Sequence, residues 1–97
     1  SRRLARQWLN LTQTDRVILV DQAHAWIGTL DEALATESRI RVRYSDTLKD
    51  HVAAILVARL AQPYDRGFSL AGFRIASVLR VQGGWETQLR VDDLEVD

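Results

Sequence analysis

Two carboxylate–imidazole pairs are the first places where this chain offers chemistry. Asp21 stands three residues before His24, and Asp50 directly precedes His51. Imidazole titrates near neutrality and a neighbouring carboxylate orients it, so each pair has the parts of a general base or of half a metal site. Neither pair comes with a third ligand at metal-binding spacing. The sequence has no HExxH, no paired cysteines and no EF-hand loop. Ser38, Ser45, Ser69 and Ser77 lack a nucleophile-elbow context, and Gly67, Gly72, Gly83 and Gly84 lack the spacing of a phosphate-binding loop. No catalytic, cofactor-binding or metal-binding residue is assigned. The chain reads as non-enzymatic and without a cofactor.

The more distinctive chemistry is a strand. Residues 38–46 read Ser-Arg-Ile-Arg-Val-Arg-Tyr-Ser-Asp. Side chains alternate across a β-strand, so Ile40, Val42 and Tyr44 line one face and Arg39, Arg41 and Arg43 the other. Same-face neighbours lie about 7 Å apart, where two guanidiniums in water repel by roughly 0.6 kcal/mol. A solvated face tolerates that repulsion, and carboxylates on an adjacent strand reverse it, with Glu86 as one candidate. The alternative is a surface that tracks phosphates. Trp8 and Trp85 join Arg39, Arg41 and Arg43 as the candidate interaction surface. Trp85 directly follows a turn, where a large ring can anchor a partner or stack on a base.

Composition bounds these readings. The 97 residues suit one domain, and 46% hydrophobic with 27% charged content is ordinary for a globular protein. Thirteen basic residues balance thirteen acidic ones, which disfavours nucleic acid as the partner relative to protein. The distribution is uneven. Arg2, Arg3, Arg6 and Arg16 make a basic front, and Asp92, Asp93, Glu95 and Asp97 an acidic tail, so the two ends can pair within one molecule or between copies. Without cysteine there are no disulfides or thiolate sites. No apolar run approaches a bilayer's thickness, so no membrane association is expected and the default location is cytoplasmic.

The elements that position these residues follow from periodicity. Residues 1–12 read as a peripheral helix, with Leu4, Trp8 and Leu11 at i, i+4, i+7. Residues 14–36 support two readings. One is a single helix capped at Thr14, and the other is a hairpin with strands at Val17–Val20 and Ala25–Leu30. Val17 and Ile18 suit a strand better, so 16–21 is read as strand and 24–36 is left open, with Thr29–Thr36 helical in either case. Residues 39–45 form the arginine strand. Asp46 is expected to cap a helix over 47–61 that is apolar around much of its circumference. Pro63 ends it, and Pro63–Gly67 is a loop. Strand follows within 68–81. Gly83-Gly84 is read as a two-residue hairpin turn, and 85–91 returns with Trp85, Thr87, Leu89 and Val91 on one face.

The string VILVDQAHAWIGTL over Val17–Leu30 resembles the first two strands of small Sm-like barrels, which pair an apolar strand with one ending in Gly and a small residue. Ala23 stands where those barrels carry a turn glycine, and 47–61 is longer than their segment there. The resemblance covers about fourteen residues and implies ring assembly or RNA binding.

The expectation is an α+β fold: one domain over 1–97, an antiparallel sheet packed by one or two helices, with an acidic tail at 92–97. A small Sm/SH3-like β-barrel with an added helix is the alternative. The expected function is a protein-interaction or assembly module that self-associates as a homo-oligomer or binds a protein partner. Nucleic-acid binding through the arginine strand is the second reading.

Overall fold

A computed structural model describes residues 14–22, 24–61 and 72–92, together with the backbone of 2–3 and 95–96. In chain order the elements are β1 (Arg2–Arg3), β2 (Asp15–Val20), α1 (Trp26–Thr36), β3 (Arg39–Tyr44), a 3-10 turn (Asp46–Leu48), α2 (Lys49–Ala61), β4 (Phe73–Val81), β5 (Gly84–Val91) and β6 (Glu95–Val96). The fold is α+β, a four-stranded mixed sheet in the order β2-β3-β5-β4 with two helices.

The β2 strand alternates, burying Ile18 and Val20 and exposing Val17 and Leu19. It runs parallel to β3, with Asp15 opposite Arg39 and Val20 opposite Tyr44. A parallel pair cannot be closed by a tight turn and needs a crossover, usually helical. Residues 21–38 supply it through α1, whose Trp26, Leu30, Ala33 and Leu34 recur at helical spacing and are all buried. This settles the open segment. The strand read over 16–21 is present at 15–20, whereas Trp26–Leu30 is helix rather than part of a second hairpin strand, and no single helix spans 14–36. The Sm-like reading falls for the same reason, and the sheet does not close: β2 and β4 are its edges.

The remaining strands are antiparallel. Here β5 lies between β3 and β4, with Val42 opposite Thr87 and Val78 also opposite Thr87. One core forms on one side of the sheet, from Ile18, Val20, Ile40, Val42, Tyr44, Phe73 and Leu89 against Trp26, Leu30, Ala33, Leu34, Val52 and Leu56 of the helices. Both helices therefore lie on the inner face and the arginines on the outer.

Three local expectations change. Asp46 makes no cap bond; its carboxylate bonds Arg80 and Trp85 instead, and a 3-10 turn precedes α2. The β4–β5 turn is Gln82-Gly83, one residue earlier than read, with Val81 paired to Gly84. Gly83 takes a positive φ of 84°, whereas Gly84 is demanded by packing, since a Cβ there would run into the Tyr44 carbonyl oxygen. At the ends, Arg2–Arg3 pairs antiparallel with Glu95–Val96. This backbone pairing joins the basic front to the acidic tail and replaces the start of the expected helix over 1–12. The rest of that helix, Trp8 included, and the Pro63–Gly67 loop lie outside the described residues.

Among the described residues no helix is long and apolar enough to cross a membrane.

Candidate functional site

The strand registers fix what the outer face presents. Arg39, Arg41 and Arg43 of β3 face Asp15, Val17 and Leu19 of β2 on one side. On the other side they face Arg90, Gln88 and Glu86 of β5. The next strand adds Arg74 beside Arg90, Ser77 beside Gln88 and Leu79 beside Glu86.

One end of this face is internally compensated. Glu86 is only 5% exposed even though it belongs to the outer face. Arg43 Nε donates to its Oε1 at 2.7 Å, and Gln88 Nε2 donates to its Oε2 at 2.7 Å. These two donors, Gln88 first and Arg43 second, hold the Glu86 carboxyl below its usual range. Ser77 Oγ in turn donates to Gln88 Oε1 at 3.0 Å, which fixes the amide's orientation. The counter-charge expected at Glu86 is therefore present. It is matched by one that sequence reading missed: Arg41 donates through Nε to Asp15 Oδ1 at 3.3 Å and contacts Oδ2 at 3.2 Å.

The other end is not compensated. Arg39, Arg90 and Arg74 stand directly opposite one another across β3, β5 and β4. Asp15 is beside Arg39, but it is engaged by Arg41, and none of the three has an ion-pair partner among the described residues. Directly opposed residues have Cα atoms about 5 Å apart, and like charges at that separation repel by roughly 0.8 kcal/mol in water, less where the long side chains splay. An open cavity of about 320 Å³ lies against this row, lined by Arg39, Arg41, Arg90, Asp15, Gln88 and Ala76. Ala76 is the extra residue of a bulge where the β4 register slips between Ile75 and Ser77. Nothing in the sequence signalled the row, because it depends on which strands are neighbours and on where the bulge falls.

Trp85 belongs to the inner face and is half-buried beside the start of α2. Lys49 Nζ lies 4.1 Å and the Arg80 guanidinium 4.9 Å from its ring, and its Nε1 donates to Asp46 Oδ1 at 2.6 Å. Arg80 donates to both Asp46 oxygens; its bond and that of Trp85 lower the Asp46 pKa, and Asp46 raises that of Arg80. Trp85 thus ties the hairpin to the helical layer and lies on the opposite face of the sheet from Arg39, Arg41 and Arg43.

The imidazole pairs do not converge. His24 is exposed in the turn before α1, whereas His51 Nε2 accepts a bond from Trp26 Nε1 at 2.9 Å and so joins the two helices. Among the described residues no three His, Cys, Asp or Glu side chains gather as a metal site.

A second surface lies on α2. Only Val52 and Leu56 of this helix are fully buried, and Ala53, Ala54, Val57, Ala58, Leu60 and Ala61 all face outward. Arg59 is turned away from that face in a two-pronged bond to Asp31 on α1, at 2.9 and 3.1 Å.

The chain matches no family model, and comparison with curated proteins and with solved structures found no match.

Proposed function

We propose that the protein is a non-enzymatic interaction module that assembles with a second copy of itself through the outward face of α2. The observation that carries this reading is the chemistry of that face. A helix side turned to water ordinarily carries charge. Here the outward positions from 53 to 61 are alanine, valine and leucine, and Val57 is 61% exposed. Small residues let two helix backbones approach closely, and a face without charge meets its own copy without repulsion, as a two-fold contact requires. The helical layer also stops short of β4, leaving inner-face Ile75 and Val78 exposed on the same side of the sheet. A chain of 97 residues buries a modest share of its surface alone and gains from added burial.

Sedimentation velocity across a wide concentration range tests the reading. The wild type is expected to move toward a dimer as concentration rises. Val57→Glu with Leu60→Glu should remain monomeric while keeping its circular dichroism, because neither side chain belongs to the core. A wild type that stays monomeric throughout, or association untouched by the double substitution, overturns the proposal.

Nucleic-acid binding is the second reading, favoured by the row of Arg39, Arg90 and Arg74. Among the described residues that row has no stacking ring beside it of the kind single-strand binders use, because Tyr44, Phe73 and Trp85 are all on the helix-bearing side.

A further inference from the structure

We propose that the cavity between Arg39, Arg41 and Arg90 on the outer sheet face binds a phosphate monoester or free phosphate. The site is on the opposite side of the sheet from α2 and does not depend on the assembly reading.

The argument begins with charge. Five of the nine cationic side chains of the described sheet and helices are paired: Arg16 with Glu32, Arg41 with Asp15, Arg43 with Glu86, Arg59 with Asp31 and Arg80 with Asp46. Of the other four, Lys49 stacks on Trp85 and three arginines cluster. Arg39 and Arg90 face each other across the β3–β5 ladder, and Arg74 extends the line on β4. Opposed like charges weaken a sheet unless something sits between them.

The cavity supplies a place for that counter-charge. Its lining holds three guanidiniums against the single carboxylate of Asp15, a net charge of two positive. A phosphate monoester near neutrality carries close to two negative charges and three equivalent acceptor oxygens. A planar guanidinium fork meets such oxygens two at a time. Asp15 contributes by bonding the Nε side of Arg41, which sets that fork's position. Gln88 is held in place at the cavity wall, its carbonyl accepting from Ser77 and one N–H donating to Glu86. The bulge at Ala76 puts a methyl group, rather than a longer side chain, against the cavity. A carboxylate ligand supplies one charge and two oxygens and leaves the site half-neutralised. A phosphodiester also supplies one charge.

The test is calorimetric titration of the full chain with inorganic phosphate, with phenyl phosphate and with a single-stranded oligonucleotide lacking terminal phosphates, all at matched chloride. Phosphate and phenyl phosphate should bind, and Arg39→Gln or Arg90→Gln should weaken each by about tenfold, the loss of one charge-assisted contact. Without ligand, Arg90→Gln should melt no lower than the wild type because it relieves the opposed charges, which separates lost binding from lost folding. Phosphate binding that exceeds phenyl phosphate binding identifies the free ion as the ligand, and the reverse identifies an ester. The proposal is overturned by absent binding of both, by binding unchanged in the two variants, or by an oligonucleotide that binds more tightly than either, which assigns the row to nucleic acid.

Discussion

Replacing Glu86 with glutamine removes a charge and one of the two acceptor oxygens that Arg43 and Gln88 use. The side chain is 6% exposed and keeps one acceptor oxygen, for Arg43, but its new NH2 faces the Gln88 NH2, so the change removes the charge from one 2.7 Å bond and the acceptor from the other. A hydrogen bond to a charged group contributes about 1.5–3 kcal/mol and a neutral one about 0.5–1.5. Arg43 is 43% exposed, so water screens its side of the pair and the lower part of that difference applies. With the Gln88 bond lost as well, Glu86→Gln should cost about 2–3 kcal/mol at neutral pH, and each kcal/mol should lower the melting temperature by roughly 4–8 °C in a domain of this size. Urea unfolding followed by tryptophan fluorescence measures it, and adding Arg43→Gln completes a double-mutant cycle whose coupling belongs to the pair. The exposed Arg80–Asp46 pair is just as short at 2.6 Å, but its side chains are 57% and 65% exposed, so its coupling should be the smaller of the two. The pH dependence has a fixed sign. Folding holds the Glu86 carboxyl below its ordinary value of 4.5, so its contribution is complete above that value and drains away as pH falls through the lower folded one. Glu86→Gln has no proton to bind there, so the gap between wild type and variant should narrow on acidification. The pull of Asp46 in the same direction is common to both proteins and cancels. A variant as stable as the wild type at neutral pH, or a gap that stays constant into acid, refutes the reasoning.

Two glycines should respond in opposite ways. Gly28 lies on the exposed side of α1 with nothing within 4 Å of an added Cβ, so Gly28→Ala should stabilise the protein by about 1 kcal/mol in the same urea experiment. Gly84→Ala drives a methyl group into the Tyr44 carbonyl, a backbone atom that moves only if β3 and β5 part. It should cost at least about 3 kcal/mol, and a soluble variant with an unchanged melting temperature would show that the strands can shift at that pair.

How much was legible depended on whether a signal was local. The alternation of Ile40, Val42 and Tyr44 against three arginines specified a half-buried strand, because side-chain direction follows from backbone geometry alone. Trp85, Thr87, Leu89 and Val91 sorted onto one face for the same reason, which left Glu86 on the side facing Arg43. The helical spacing of Val52 and Leu56 was equally readable, as was the apolar character of the rest of α2. Residues 24–36 resisted because Ala25, Trp26 and Ile27 suit either a strand or a buried helix face. The choice was made by the parallel pairing of β2 with β3, which needs a crossover to span it. Asp46 illustrates the same limit on a smaller scale: its position suits a helix cap, but Arg80 and Trp85, brought from far along the chain, offer stronger partners.

The sequence by itself determined the strands of the four-stranded sheet, the faces of β3 and β5 and the uncharged outward side of α2 from 53 to 61, since each follows from the period of neighbouring residues. Only the tertiary structure decided which arginines are neutralised. Arg41 meets Asp15 because β2 is a parallel neighbour, and Arg43 meets Glu86 because β5 is an antiparallel one. Arg39, Arg90 and Arg74, taken from three separated stretches, fall into one line because register sets long-range neighbours, and no local pattern encodes register.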